Sequence, residues 1–180
     1  MDLEKYLDTI AIKGEHSEAR VIDPGSVVTS AWVRWKCQFG CPVYGKGYCC
    51  PPDSPPPEET RKMLDCYQRA ILFHFEVPPK EGRSRRKLLN KFYRQLVDLE
   101  GELFKDGYYK AFVFLAGHCD LCKECQKPKG EPCSQRARAR PSMEACGIDV
   151  YETSRNNGFV ISPVRLKSET WNFYSLLLVD

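Results

Sequence analysis

Apolar residues recur along this chain at two spacings, one helical and one extended. Between Asp2 and Ile12, Leu3, Tyr6, Leu7 and Ile10 fall three and four apart, the spacing of a helix that stops near Gly14. Val27, Val28, Ala31, Trp32 and Val33 read as an extended segment running into Lys36 and Cys37. Pro56 and Pro57 precede Glu58, Glu59 and Thr60, acids suited to a first helical turn, and Met63, Leu64 and Tyr67 continue that stripe to about Ala70. Ala70 to Val77 is a nearly unbroken apolar run closed by Pro78 and Pro79, as expected of a buried strand. Ser84 is placed to cap a long helix in which Leu88, Leu89, Phe92, Leu96, Leu99 and Leu103 share one face. Asp106 and Gly107 end it, and Tyr109 to Ala116 is the second strong strand. Short helices are expected over Pro141 to Ala145 and over Asp149 to Asn157, the latter stopped by Gly158, and Phe173 to Val179 is a last strand.

A strand, a long helix and a strand make a crossover unit, which predicts parallel strands. The expected fold is therefore α/β: a small three- or four-stranded mixed or parallel sheet with flanking helices, in a single domain over residues 1–180. No apolar run approaches the ~20 residues needed to cross a bilayer. The start of the chain, Met1 to Lys5, is charged with no hydrophobic segment behind it, so the expected compartment is the cytoplasm and no membrane partner is expected. An apolar content of 42% excludes wholesale disorder. The formal net charge is only +3, which gives no electrostatic case for nucleic acid as a partner.

What changes the picture is cysteine. The chain has 10, and eight of them fall in two short windows, 37–50 and 119–133. Without a secretory signal, clustered thiols are read as metal ligands before disulfides, because the cytosol keeps thiols reduced. The first window lies in a stretch rich in proline and glycine, 37–57, where no regular element is expected. A loop this long in a compact domain is functional or disordered, and a bound metal would organise it.

The second window, within a loop over 117–140, has Cys119, Cys122, Cys125 and Cys133, or C-x2-C-x2-C-x7-C. Three thiolates at successive x2 steps let one loop wrap three corners of an iron–sulfur cube, with a fourth arriving from further on. Zinc prefers two separated ligand pairs around one tetrahedron, and a structural zinc knuckle is the competing reading. The amides of Gly117 and Gly130 are candidates for close approach to the metal, and His118 for a ligand or a supporting donor. The first window, Cys37, Cys41, Cys49 and Cys50, is C-x3-C-x7-C-C, a weaker signal. Pro42 and Pro51 follow Cys41 and Cys50 directly, as proline follows a ligand in ferredoxins. Four ligating thiolates would close this site and suit electron transfer. Three would leave one iron open to substrate or sulfide, and neighbouring side chains in an extended backbone diverge, which favours Cys50 over Cys49 as the ligand.

Several of these residues carry a resemblance. Lys36-Cys37, Cys41-Pro42, Tyr44-Gly45-Lys46 and Cys50-Pro51-Pro52, followed by Gly117-His118-Cys119, Cys122, Cys125, Cys133 and the run Ala139 to Ala145, resemble a family of small prokaryotic proteins described as predicted metal-binding, common in anaerobes. The resemblance runs from about Val33 to the end of the sequence and implies a metal, iron–sulfur above all, without implying a reaction. It implies Cys37, Cys41 and Cys50 as the first-window ligands. Cys49 stands where that family has a small residue, so it is at most an additional ligand, and Cys146 stands where an apolar residue is usual, so it belongs to the core.

The expected ligand set is thus Cys37, Cys41, Cys50, Cys119, Cys122, Cys125 and Cys133, holding two [4Fe-4S] clusters, with zinc as the alternative metal. The expected function is electron transfer, or chemistry at an open iron on sulfur or a small molecule; a zinc-stabilised interaction module is the rival. The expected partner is a redox protein or such a substrate. Whether the protein is an enzyme is left open by the sequence, since no phosphate loop, G-x-S-x-G or H-E-x-x-H motif occurs and no nicotinamide or flavin fingerprint is found. Arg136, Arg138 and Arg140, with Arg83, Arg85, Arg86 and Lys87, are candidates for docking an acidic partner or for a solvated basic face.

Overall fold

The computed structural model describes residues 3–11, 17–79, 82–166 and 168–180. Its elements are α1 (Glu4–Ala11), β1 (Ser17–Ile22), α2 (Ala31–Gly40), α3 (Pro57–Leu64), β2 (Ala70–Val77), α4 (Gly82–Lys105), β3 (Phe112–Phe114), α5 (Val150–Asn156) and β4 (Trp171–Leu178). The end expected for the first helix, near Gly14, lies outside the described residues. Among those residues no helix is long and apolar enough to cross a membrane.

The protein is α/β, built on one four-stranded sheet in the order β1-β2-β4-β3. Each neighbouring pair is antiparallel, with Ala19 opposite Phe73, Phe73 opposite Ser175 and Val113 opposite Leu177. A mixed or parallel sheet is therefore corrected to an antiparallel one. β2 and β3 do run in the same direction on either side of α4, as a crossover requires, but β4 is inserted between them and pairs with both. The unbroken apolar run of β2 has another cause: the sheet is covered on both faces. Ile71, Phe73 and Phe75 pack with Val113 and Leu177 against Phe92, Leu96 and Leu99 of α4 and against Tyr6 of α1 and Leu3 just before it. Ala70 and Leu72 point the other way, with Phe114, Tyr174 and Leu176, under Leu64, Met143, Ile148 and Phe159. Successive strand residues face opposite sides, so two covers make the run apolar from Ala70 to Phe73, with only the half-buried His74 and Glu76 polar further along.

Several local expectations hold: β2 spans the expected residues, α4 and β4 fall within about two residues of theirs, and Asp149 caps α5 by accepting from the Glu152 amide at 3.1 Å. Ser84 lies inside α4 rather than before it, and the expected helix at Pro141–Ala145 is a single tight turn over Glu144–Cys146. The third helix stops at Leu64, short of Ala70.

The largest local difference is α2. Residues 31–33 are helical, not extended, and the helix continues through Cys37 to Gly40, four residues into the stretch expected to be irregular. Ser30 is extended at φ −149° and starts it. Of its apolar residues only Val33 is buried; Trp32, Trp35 and Phe39 are 45%, 66% and 73% exposed. Its outward face therefore stays largely exposed among the described residues.

The turn at 142–148 ties the cysteine-bearing segments to the sheet. Leu115 N–H donates to Pro141 C=O and Met143 N–H to Leu115 C=O, both at 2.9 Å, which closes the second loop at its base. Ser30 N–H donates to Gly147 C=O at 2.8 Å, holding the start of α2 on the same turn. Gly147 has φ +77°, and a Cβ there would fall 2.4 Å from Pro57, so only glycine lets α3 seat against this turn.

Candidate metal centre

The C-x3-C spacing of the first window acquires a geometric meaning from α2. Cys37 sits in the last turn of the helix and Cys41 follows it, with the Cys41 amide donating to the Cys37 carbonyl at 3.3 Å. Residues four apart at a helix end share a face, so both side chains project from the same side. Cys50 is delivered by the turns after them. Its amide donates to Gly47 C=O at 3.2 Å, and its carbonyl accepts from Asp53 and Ser54 at 3.0 and 3.2 Å. Cys50 is buried, and burial, with the Cys41 thiol nearby, pushes its own thiol up to about 11. Cys37 is likewise raised, by burial first and then by Cys41 and Glu144.

This first group is held in place from below. Arg34, one turn before Cys37, donates through Nη1 to Ala145 C=O at 2.5 Å, Ser54 Oγ at 3.0 Å and Pro55 C=O at 3.1 Å. Ser54 Oγ also donates to Ala145 C=O at 2.6 Å. The return of the loop is thus fastened to the 142–148 turn at the residues flanking the cysteines.

The second window leaves β3 at Gly117 and carries its cysteines through irregular chain. Residues 117–140 contain not one buried position. Cys119, Cys122, Cys125 and Cys133 line a single cavity of about 380 Å³. Cys49 and Cys50 line it too, so six thiols from both windows border one space. The Cys122 thiol is 3.6 Å from Ser134 Oγ. The two windows are joined across the cavity mouth by Tyr48, whose hydroxyl donates to Glu131 C=O at 2.6 Å, and by an ion pair of Lys127 with Asp53.

Cys49 takes the side of the second window. Its thiol is hydrogen-bonded to the Cys119 thiol, and Cys133 and then Cys50 are the next thiols that act on it. Cys49 holds the proton of this pair and its own titration is pushed far up, whereas Cys119, accepting from Cys49 and from the Leu121 amide, is pushed down. Cys50 responds to Cys41 first and then to Cys119, ahead of Cys37.

A second, wider cavity of about 970 Å³ opens on Cys37 and Cys41. Its walls include the outward aromatic residues of α2, Trp32, Trp35 and Phe39, together with Tyr151 and Phe173. Glu144 lies between the two windows: its Oε2 accepts from the Gly117 amide at 3.4 Å, and its carbonyl oxygen is 3.9 Å from the Cys37 thiol. Burial pushes its carboxyl above the usual range. Nothing in the cysteine spacing pointed to Glu144 or Arg34; their roles come from contacts across more than 100 positions.

Among the described residues, no three His, Cys, Asp or Glu side chains converge on one point able to hold a metal ion. The donor set nonetheless fits a soft metal, being composed of thiols, and six of those thiols border one cavity. Cys146 is fully buried in the lower core, as expected, and burial pushes its thiol up to about 12. Cys66 is exposed and its thiol is 3.3 Å from Lys62 C=O. The amides expected to approach a metal are otherwise engaged: Gly130 N–H donates to Lys127 C=O at 2.9 Å and Gly117 N–H faces Glu144. His118 is half exposed at the cavity, its Nε2 3.7 Å from Asp120 Oδ1. The basic residues are also largely committed, Arg140 to Glu100, Arg138 to Asp98 and Arg86 to Asp120.

No curated protein and no solved structure matches the chain. Residues 20–179 match the family model described as "Predicted metal-binding protein (DUF2284)", and the chain belongs to that family.

Proposed function

We propose that the protein is an iron–sulfur protein with two [4Fe-4S] sites, one held by Cys37, Cys41 and Cys50 and the other centred on Cys119, Cys122, Cys125 and Cys133. The observation that carries this reading is the set of six thiols, Cys49 and Cys50 with the four of the second window, that border one cavity of about 380 Å³, while Cys37 and Cys41 open on another. A single tetrahedral ion wants its four donors at one point, whereas a multi-iron cluster takes its thiolates around a body of several atoms. The x2-x2 spacing of the second window favours the same choice.

When bound, such clusters supply one-electron transfer, and an iron without a protein ligand also binds a small molecule. The chain's own residues do the rest. Arg34 and Ser54 fix the thiols of the first window, and Tyr48 with Lys127 and Asp53 hold the two windows together. The second window faces a redox partner protein. The first is read with Cys37, Cys41 and Cys50 as its thiols, and the 970 Å³ aromatic-walled cavity gives a small molecule or sulfur species access to Cys37 and Cys41.

The test is iron, acid-labile sulfide and zinc measured on the same anaerobically purified sample. Iron and sulfide in equal amounts, filling two four-iron clusters per chain in a brown protein, is the expected result. A colourless protein with stoichiometric zinc and no sulfide would replace this reading with the zinc-stabilised interaction module.

A further inference from the structure

The outward face of α2 serves nothing in the fold. Trp32, Trp35 and Phe39 follow one another at three and four residues, so they share one side of the helix, and they keep 45%, 66% and 73% of their surface in water. Large aromatic side chains gathered on one exposed face mark a binding surface. They wall one side of the cavity of about 970 Å³, to which α5 adds Tyr151 and β4 adds Phe173, and Cys37 and Cys41 border the same space. That volume lies at the upper end of the roughly 300–1,000 Å³ of small-molecule sites, and flat rings pack well on aromatic walls, stacked or edge-on.

The cavity also has a polar character of one kind. Asn172 Oδ1 lies 2.7 Å from His74 Nε2 and accepts from it, which leaves the Asn172 Nδ2 group as a donor on the wall. Lys36 lines the cavity as well; among the described residues it meets no carboxylate, and its Nζ lies 5.6 Å from the centre of the Trp32 ring. The one acid on the walls is Glu144, and its Oε2 is taken by the Gly117 amide at 3.4 Å. A cationic molecule would meet a lysine and no free carboxylate. A molecule with carbonyl oxygens meets two nitrogen donors, one of them charged. A second copy of this chain would bring another hollow and another lysine, not a body to fill the first.

We infer that this cavity binds a planar, fused-ring aromatic molecule of the quinone class, its rings against the aromatic walls and its carbonyl oxygens on Lys36 Nζ and Asn172 Nδ2. The inference rests on the reading of the cavity as the small-molecule entrance to the first site and names the chemistry of what enters. With Cys37 and Cys41 on the same walls, the bound ring lies beside the first thiol group.

The test is anaerobic equilibrium dialysis of the oxidised, metal-loaded protein with two probes of one shape: 2,3-dimethyl-1,4-naphthoquinone, whose substituted ring does not add thiols, and 2,3-dimethylnaphthalene, the hydrocarbon without the carbonyls. Saturable binding of one quinone per chain is expected, with the hydrocarbon about tenfold weaker; a merely apolar groove would prefer the hydrocarbon. Trp35→Ala is expected to weaken both probes, and Lys36→Met to weaken the quinone alone. Both side chains are exposed, so both variants keep the wild-type circular dichroism spectrum.

Equal or tighter binding of the hydrocarbon, no binding of the quinone, or binding that neither variant weakens would each overturn the inference. So would a dimer in sedimentation equilibrium that Trp35→Ala dissociates, since the face would then belong to a second copy. Iron, sulfide and zinc measured on the same sample keep the two readings apart. Iron and sulfide in a protein that ignores the quinone would overturn this site alone, whereas selective quinone binding by a zinc protein would overturn the iron–sulfur reading and support the site.

Discussion

Ile71, Phe73 and Phe75 on one side of β2, and Ala70 and Leu72 on the other, are all sealed from water, whereas residues 117–140 contain no buried position at all. Residues 41–56 do little better, burying only Cys50, Pro51 and Ser54. The sheet is thus held by apolar area removed from water on two faces. The thiol-bearing segments lie in the same chain but are held by individual side-chain straps: Arg34 to three acceptors, Arg140 to Glu100, and Tyr48 to Glu131. The comparison teaches where metal has leverage. A region without its own core gains most of its ordering free energy from what it binds, while the sheet has no need of it.

The strongest way to break this contrast is from the sheet side. Leu96 of α4 is fully buried in the upper core, so Leu96→Ala is expected to cost about 3 kcal/mol of global stability. Urea unfolding followed by far-UV circular dichroism measures it. If the thiol face instead governed global unfolding, this substitution would leave the transition midpoint of the metal-free protein nearly unchanged.

Next in size is Arg140, where the two regions meet. Its guanidinium forms a two-pronged pair with Glu100, Nη2 to Oε1 at 2.5 Å and Nε to Oε2 at 3.0 Å, and Glu100 also accepts the Val113 amide at 2.8 Å. The side chains are 18% and 12% exposed, so Arg140→Met leaves a mostly buried carboxylate without its cation. Partial exposure lowers the penalty below that of a fully buried pair, to about 2 kcal/mol. Arg140→Lys restores only part of it, because an ammonium cannot make the planar two-pronged contact. The same unfolding series, together with metal retention by the second site, reads both regions at once; equal stability of the methionine and wild-type proteins would dissolve the link.

How much of this was legible in the sequence follows the same division. β2, α4 and β4 could be read from the chain because they bury what they carry, and burial is what an apolar pattern reports. α2 misled for the opposite reason: Trp32, Trp35 and Phe39 present apolar side chains that meet no core, so their pattern described a face without a partner. Their spacing, three and four apart, was nonetheless the helical one. The strand order was unreadable, since nothing local to β4 says that it enters between β2 and β3. The cysteine windows were plain as motifs. That Cys49 meets Cys119 was not, because no local spacing encodes a contact between separate loops.

Arg34 sharpens the comparison within the thiol face. Arg34→Met removes the bonds to Ser54, Pro55 and Ala145 but leaves the apolar stem of the side chain in place, and Ser54 keeps its own bond to Ala145. Global stability is expected to fall by only about 1 kcal/mol, while limited proteolysis within 41–56 accelerates in the metal-free protein and is suppressed by reconstitution. Cleavage that begins in the sheet instead, or a rate that metal does not slow, would show that the strap supports the core and not the site.

The smallest expected effect belongs to the sheet and is a matter of pH. At the margin of β2 and β4, Arg69 Nε donates to Asp180 Oδ1 at 2.8 Å, and the Val179 amide donates to the Arg69 carbonyl at 3.0 Å. The guanidinium holds the Asp180 carboxyl below the usual carboxylate range. A carboxyl lowered in the folded state stabilises the protein wherever it is ionised in both states, above its ordinary value of about 3.9, and that contribution is lost as pH falls through the folded value. Both side chains are about one-third exposed, so solvent screening limits the contribution to about 0.5 kcal/mol. Asp180→Asn should therefore lower stability by that amount at neutral pH and flatten the acid limb of the stability curve below about pH 4, with metal content unchanged. An acid limb as steep in the variant as in the wild type would move the origin of acid sensitivity away from this pair and toward the thiol-bearing face.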